Sequence, residues 1–139
     1  MATGASTAAG ATEYRTLASQ TTRTTEALAQ VTMRTANLLK NLFVYVSVYS
    51  LGLASPIAVR INGSSSAITV SPNATGIFED TSNSVTLVAT DEANYIVDAL
   101  LGVSGAITPI TISIEETQPA VQTPFRIQLD DANLVAMMR

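Results

Sequence analysis

A change of pattern near residue 40 constrains the fold of this chain more than any other feature. Up to Lys40 the sequence is rich in Thr and Ala and carries a weak seven-residue repeat. From Leu42 onward, short apolar runs alternate with Ser, Thr and Asn. Side chains return to the same face about every 3.6 residues in a helix and every 2 residues in a strand. The change of pattern therefore predicts an N-terminal α-helix followed by a β-domain.

The predicted helical arm spans residues 12–41 and follows a flexible N terminus at residues 1–11. No Gly or Pro interrupts Thr12–Leu39, and Thr12 can cap the helix. When Tyr14 is set as heptad position a, no charged residue falls on the a and d positions, which is typical of a coiled coil. Those positions are Tyr14, Leu17, Thr21, Thr24, Leu28, Val31, Thr35, Leu38 and Leu42.

This arm is predicted to carry self-association. Thr is a poor helix former, so an isolated helix of this composition needs partners. The alternative is a helix laid across its own β-domain. The contacts with other copies are predicted at the larger apolar positions, which are Leu17, Leu28, Val31, Leu38 and Leu42.

Residues 42–139 predict an antiparallel β-sandwich or jelly roll of about eight strands, because short apolar runs recur with turn residues between them. The segment Asp91–Gly102 is ambiguous and is also compatible with a short helix. The predicted strands are Leu42–Leu51, Ile57–Ile61, Ile68–Val70, Gly76–Phe78, Val85–Ala89, Tyr95–Leu101, Ile107–Ile114 and Phe125–Leu129.

The C-terminal residues leave two alternatives open. Thr117–Pro124 is flanked by proline and is typical of an extended linker, and Phe125–Leu129 then alternates apolar and polar residues. Phe125–Leu129 is predicted to be the last strand of its own sandwich. The alternative is that it adds to the sheet edge of a neighbouring copy.

The residue types that are missing argue against catalysis. The chain has no Cys and no His, which removes disulfides, thiolate nucleophiles, the usual general base and the commonest metal ligands.

Residues 1–41 carry a net charge of 4 − 2 = +2, and the remainder carries 3 − 9 = −6. The acidic body without a basic stripe predicts no nucleic-acid partner. We predict a non-enzymatic protein that needs no cofactor.

No recognisable secretory signal peptide or membrane span is predicted from the sequence. Residues 1–10 lack a basic and an apolar region, and the most apolar run is interrupted by Lys40 and Asn41. The uninterrupted part, Leu42–Ala54, is shorter than the roughly 20 residues that a spanning helix needs. The expected location is an extracellular surface structure or a virion.

Acidic residues occur in adjacent pairs, which supports an alternative function. The pairs are predicted in loops or at strand ends, and two of them together could bind Ca²⁺ through several oxygens. The alternative is therefore a ligand-binding adhesin module, dependent on carbohydrate or Ca²⁺. The pairs are Glu79-Asp80, Asp91-Glu92, Glu115-Glu116 and Asp130-Asp131.

Three stretches of the body resemble jelly-roll subunits of bacterial spore appendages and of phage fibre or decoration proteins. They are Val46–Gly63, Ala67–Pro72 and Ser84–Ala89. The resemblance implies a subunit that polymerises by strand exchange or by an inserted N-terminal arm. The best-known spore-appendage subunits cross-link through cysteines, and this chain has none. Covalent cross-linking of that kind is therefore not expected. From the resemblance and the predicted arm, we predict a structural, self-assembling subunit of a filament, fibre or shell, whose partner is another copy of the same chain.

Overall fold

Two antiparallel β-sheets form the protein, as seen in a computed structural model that describes residues 5–18 and 21–118. Every strand pairing among these residues is antiparallel. The strands are β1 (Thr7–Ala8), β2 (Thr12–Arg15), β3 (Thr22–Arg23), β4 (Val31–Thr32), β5 (Asn37–Tyr49), β6 (Ile57–Ile61), β7 (Ser64–Val70), β8 (Gly76–Leu87), β9 (Glu92–Asp98) and β10 (Ala106–Thr117).

The two sheets have different widths and different edges. The first sheet has the spatial order β1-β10-β5-β8 and contains the three longest strands. The second has the order β3-β2-β9-β6-β7, and β4 also pairs with β9. The prediction of a mainly β, antiparallel protein is confirmed, and the arrangement is consistent with a β-sandwich.

The core lies between the sheets and is built from aliphatic side chains and Tyr95. Alternation along each strand directs every second residue inward. In β5 a bulge at Asn41, whose φ is 55°, shifts the pairing with β8 between Lys40 and Leu42. Leu39 and Leu42 are three residues apart, yet both are fully buried, because the bulge restores the inward direction.

The prediction of an N-terminal α-helix is wrong. Residues 12–41 instead form β2, β3, one 3₁₀ turn at Glu26–Leu28, β4 and the start of β5, and no α-helix occurs within residues 5–18 or 21–118. Eight of the thirty residues 12–41 are Thr, whose β-branched side chain favours strands. The heptad pattern was therefore misleading, and strand pairing with β9 organises this region.

Most of the predicted body strands occur, with different boundaries. Ile57–Ile61 is confirmed as β6, whereas Gly76–Phe78 and Val85–Ala89 belong to one long strand, β8. The ambiguous segment Asp91–Gly102 contains β9 rather than a helix. The predicted strand Phe125–Leu129 lies outside the described residues.

Candidate interaction surfaces

At one end of the sandwich, the loops that the structure describes contain no charged residue. Hydrogen bonds join these loops, since Ala9 N donates to Gly105 O, Ala99 N to Ala11 O and Ser55 N to Pro72 O. The Ser55 hydroxyl also donates to the carbonyl of Asp98 at 2.8 Å. We call this surface the uncharged end and define it as residues 8–11, 50–56, 71–75 and 99–105.

Large apolar side chains project from the uncharged end into solvent. Leu100, Leu101 and Val103 are 60%, 71% and 85% exposed, and Leu53 is 49% exposed. Single exposed apolar residues are ordinary, but several on adjoining loops mark an interaction surface. Two of these loops are close together, because a Cβ at Gly102 would come within 2.9 Å of Leu51.

The opposite end of the sandwich is charged and internally bonded. Arg60 forms an ion pair with Glu26, and its guanidinium lies 5.8 Å from the centre of the Tyr14 ring. The Asn62 side chain donates to the Asp91 carboxylate at 2.8 Å and accepts from Glu92 N. These charged groups already have partners, so this end is less suited to bind another molecule through apolar contact.

A second apolar surface lies on the outer face of the first sheet. Tyr45 on β5 is directly opposite Ile77 on β8, and the two are 39% and 62% exposed. Val48, which is 50% exposed, lies further along β5. Cross-strand neighbours of this kind form a continuous strip that can pack against another surface.

One long edge of the first sheet has no neighbouring strand along most of its length within residues 5–18 and 21–118. Among the described residues, only β1 pairs with the outer side of β10, at Ala106 and Ile107. We call the remaining stretch, Ile110–Thr117, the β10 edge. An unpaired edge presents free N–H and C=O groups and can accept another strand.

The five predicted assembly residues lie at separate places in the fold. Leu42 is fully buried in the core, and Leu17 is partly buried against it. Leu28 is 65% and Val31 37% exposed, and Leu38 is half-buried on β5. The structure brings Leu17 and Leu42 into the same core but does not place all five on one face. Their role as contacts between copies stays a prediction.

The uncharged end was missed in the sequence, although its signal was present. The segments Ser50–Pro56 and Ala99–Gly105 are apolar loops without charge, which is unusual for solvated connections. Their position at the same end depends on the strand order, which the sequence does not state. The lack of charge in successive loops was the available signal.

The acidic pairs within the described residues are bonded in separate places. Asp80 accepts hydrogen bonds from Thr69 N, Ser82 N and both nitrogens of Asn83. Glu115 accepts from Asn41 and forms an ion pair with Lys40 at 3.3 Å. No group of three acidic side chains able to hold a metal occurs in the described part of the chain. Asp130-Asp131 lies outside it.

Asp80 links the two sheets, since it lies on β8 and accepts from the backbone of β7. Its burial raises the carboxyl pKa, but the hydrogen bonds from Asn83, Thr69 and Ser82 outweigh burial and lower the pKa overall. Because the folded-state pKa is below the unfolded value, the resulting stability is present above about pH 4.

We expect Asp80→Asn to lower the free energy of unfolding at pH 7, because the carboxamide offers its donors fewer acceptor sites. The difference between the two proteins should shrink as the pH falls from about 4 through the folded-state pKa of Asp80. Urea titrations from pH 7 to pH 2 measure it. Glu79→Gln, on the exposed neighbouring side chain, is the control and should show no comparable difference. If the difference in the free energy of unfolding between Asp80→Asn and the original chain persisted at low pH, the role assigned to the carboxylate would be contradicted.

Within residues 5–18 and 21–118 the fold shows no pocket for a small molecule. No helix of the described chain is long and apolar enough to span a bilayer. The features that remain are surfaces: the uncharged end, the apolar strip of the first sheet and the β10 edge. Their geometry suits contact with another macromolecule.

Comparison with protein-family models, with characterised proteins and with solved structures finds no match for this chain.

Proposed function

We propose that this protein is a structural, self-assembling subunit of a filament, fibre or shell, with a jelly-roll arrangement of its strands. The surroundings proposed for it are an extracellular surface appendage or a virion. The observation that carries the proposal is the uncharged end, where Leu53, Leu100, Leu101 and Val103 are exposed together.

Electrostatics favour a second copy of the chain as the partner of this surface. Each copy carries a net charge of −4, so two copies repel one another wherever their charged surfaces meet. Residues 8–11, 50–56, 71–75 and 99–105 carry no charge, and the adjoining Asp98 carboxylate is half-buried and accepts a hydrogen bond from Leu100 N. Burial of apolar area can then drive association with a smaller like-charge penalty than contact elsewhere on the acidic surface.

We expect the full chain to form species heavier than its 14.5 kDa monomer as its concentration rises. The double variant Leu101→Asp/Val103→Asp should weaken association at least about tenfold, because it places charge in an apolar contact. Light scattering over a concentration series measures the mass, and electron microscopy shows the shape of the assembly.

Val88→Asp is the matched control. Val88 is also apolar and 57% exposed, but it lies in the loop before Asp91, at the charged end. This variant should associate like the original chain. A chain that stays monomeric at every concentration, or equal weakening by both changes, would contradict the proposal.

A further inference from the structure

We propose that residues 125–129 of one copy pair with the β10 edge of a second copy and extend its first sheet by one strand. This inference rests on the proposed self-assembly and names a second contact for it. The occupant is a segment of this chain that lies outside the described residues, and the receiving edge is Ile110–Thr117.

The receiving edge is long enough and alternates suitably. Ile112 is buried, Ile114 is partly buried against the core, and Thr111, Ser113 and Glu115 are exposed on the other face. Among the described residues only β1 pairs with this side of β10, and its pairing reaches no further than Ile107. Extended segments bind such edges through main-chain hydrogen bonds, and alternate side chains then set the register.

Residues 125–129 have the complementary pattern, Phe-Arg-Ile-Gln-Leu. An antiparallel register that sets Arg126 opposite Glu115 also sets Ile127 opposite Ile114. The same register places Leu129 opposite Ile112 and Gln128 opposite Ser113. Ile127 and Leu129 then lie beside Ile114 and Ile112 on the inner face, while Phe125 lies opposite the exposed Glu116. On the outer face Arg126 adds a positive charge beside Glu115, which already forms an ion pair with Lys40.

The connection favours a neighbouring copy over the same copy. Residues 118–124 read Gln-Pro-Ala-Val-Gln-Thr-Pro and contain none of the Gly, Asn or Asp residues that tight hairpins use. Two prolines favour an extended chain, which reaches roughly 20 Å at about 3 Å per residue. A linker of this composition disfavours a tight hairpin back onto its own β10 and favours the edge of a neighbouring copy.

A disulfide tests the pairing directly, because the natural chain has no cysteine. One full-length variant carries Ser113→Cys and a second carries Gln128→Cys. After the two are mixed and oxidised, we expect a covalent dimer whose bond joins positions 113 and 128, identified by mass spectrometry. The two cysteines start on different copies, so this bond can form only between copies.

Ser82→Cys mixed with Gln128→Cys is the control, since Ser82 is exposed on β8, at the other edge of the same sheet. Its yield of dimer should be at least about tenfold lower. Equal yields, or no bond between positions 113 and 128, would overturn the inference. A bond between positions 113 and 128 of the same copy, formed in a dilute chain that carries both cysteines, would also overturn it. So would a bond between Thr3→Cys and Ser113→Cys of the same copy, because the N-terminal residues would then occupy the β10 edge.

The outcomes separate this inference from the proposed function. A chain that assembles in light scattering but forms no bond between positions 113 and 128 would overturn the added strand and leave self-assembly standing. A chain that is monomeric at every concentration would overturn both.

Discussion

Replacement of Arg15 by Ala is expected to lower the free energy of unfolding by about 3 kcal/mol. Arg15 lies on β2 of the second sheet and is fully buried. Its guanidinium donates to Pro109 O at 3.1 Å and to Ala5 O at 2.6 Å. The side chain thus ties the second sheet to β10 and to the residues before β1. Alanine leaves the buried Pro109 carbonyl and the partly buried Ala5 carbonyl without these donors, and it removes the packing of a long side chain.

Urea denaturation at neutral pH and matched protein concentration measures the effect. Arg23→Ala is the control, because Arg23 is also a strand arginine of the second sheet but is exposed. It should change the free energy of unfolding by less than about 0.5 kcal/mol. A loss below that limit for Arg15→Ala would show that the arginine does not hold the two sheets together.

The fold class could be predicted because the period-2 pattern after Leu42 is a local signal. Ile57, Val59 and Ile61 alternate with their neighbours in the sequence, and the structure has a strand there, β6. The Asn62-Gly63 dipeptide is a local signal of the same kind, because Asn-Gly is typical of tight hairpins, and both residues adopt positive φ in the turn between β6 and β7. Local chemistry specifies these elements without reference to the rest of the chain.

The N-terminal region could not be predicted from its own pattern, because distant residues organise it. Thr12–Arg15 becomes a strand by pairing with Asp98–Tyr95, eighty or more residues away. A buried arginine within it also contradicts the usual expectation that charged residues face solvent. The spacing of Leu28, Val31 and Leu38 imitates a helix face, but Leu28 and Val31 are exposed in short elements.

The candidate interaction surfaces depend on topology, which explains why the sequence placed the predicted contacts on the N-terminal arm and not on these surfaces. Four loops far apart in the sequence form the uncharged end only because the strands return to it. In the described part of the chain the β10 edge has no further strand beside it, because β1 is two residues long. A contact at the uncharged end alone can close a dimer, whereas a second, different contact at the β10 edge allows an open polymer.

Leu42→Ala is expected to lower the free energy of unfolding by about 3 kcal/mol, within the range for a large-to-small change in a core. Leu42 is fully buried, and it lies opposite Asp80 in the pairing of β5 with β8. The heptad pattern instead assigned it, together with Leu28, to a contact between copies. Urea denaturation and light scattering of the same samples separate the two roles.

Leu28→Ala is the matched comparison, because Leu28 is 65% exposed on the 3₁₀ turn. We expect its free energy of unfolding to stay within about 0.5 kcal/mol of the original chain. Weaker association at unchanged stability would support Leu28 as a contact between copies. If instead Leu42→Ala weakened association and left stability unchanged, Leu42 would not fill the core between the two sheets.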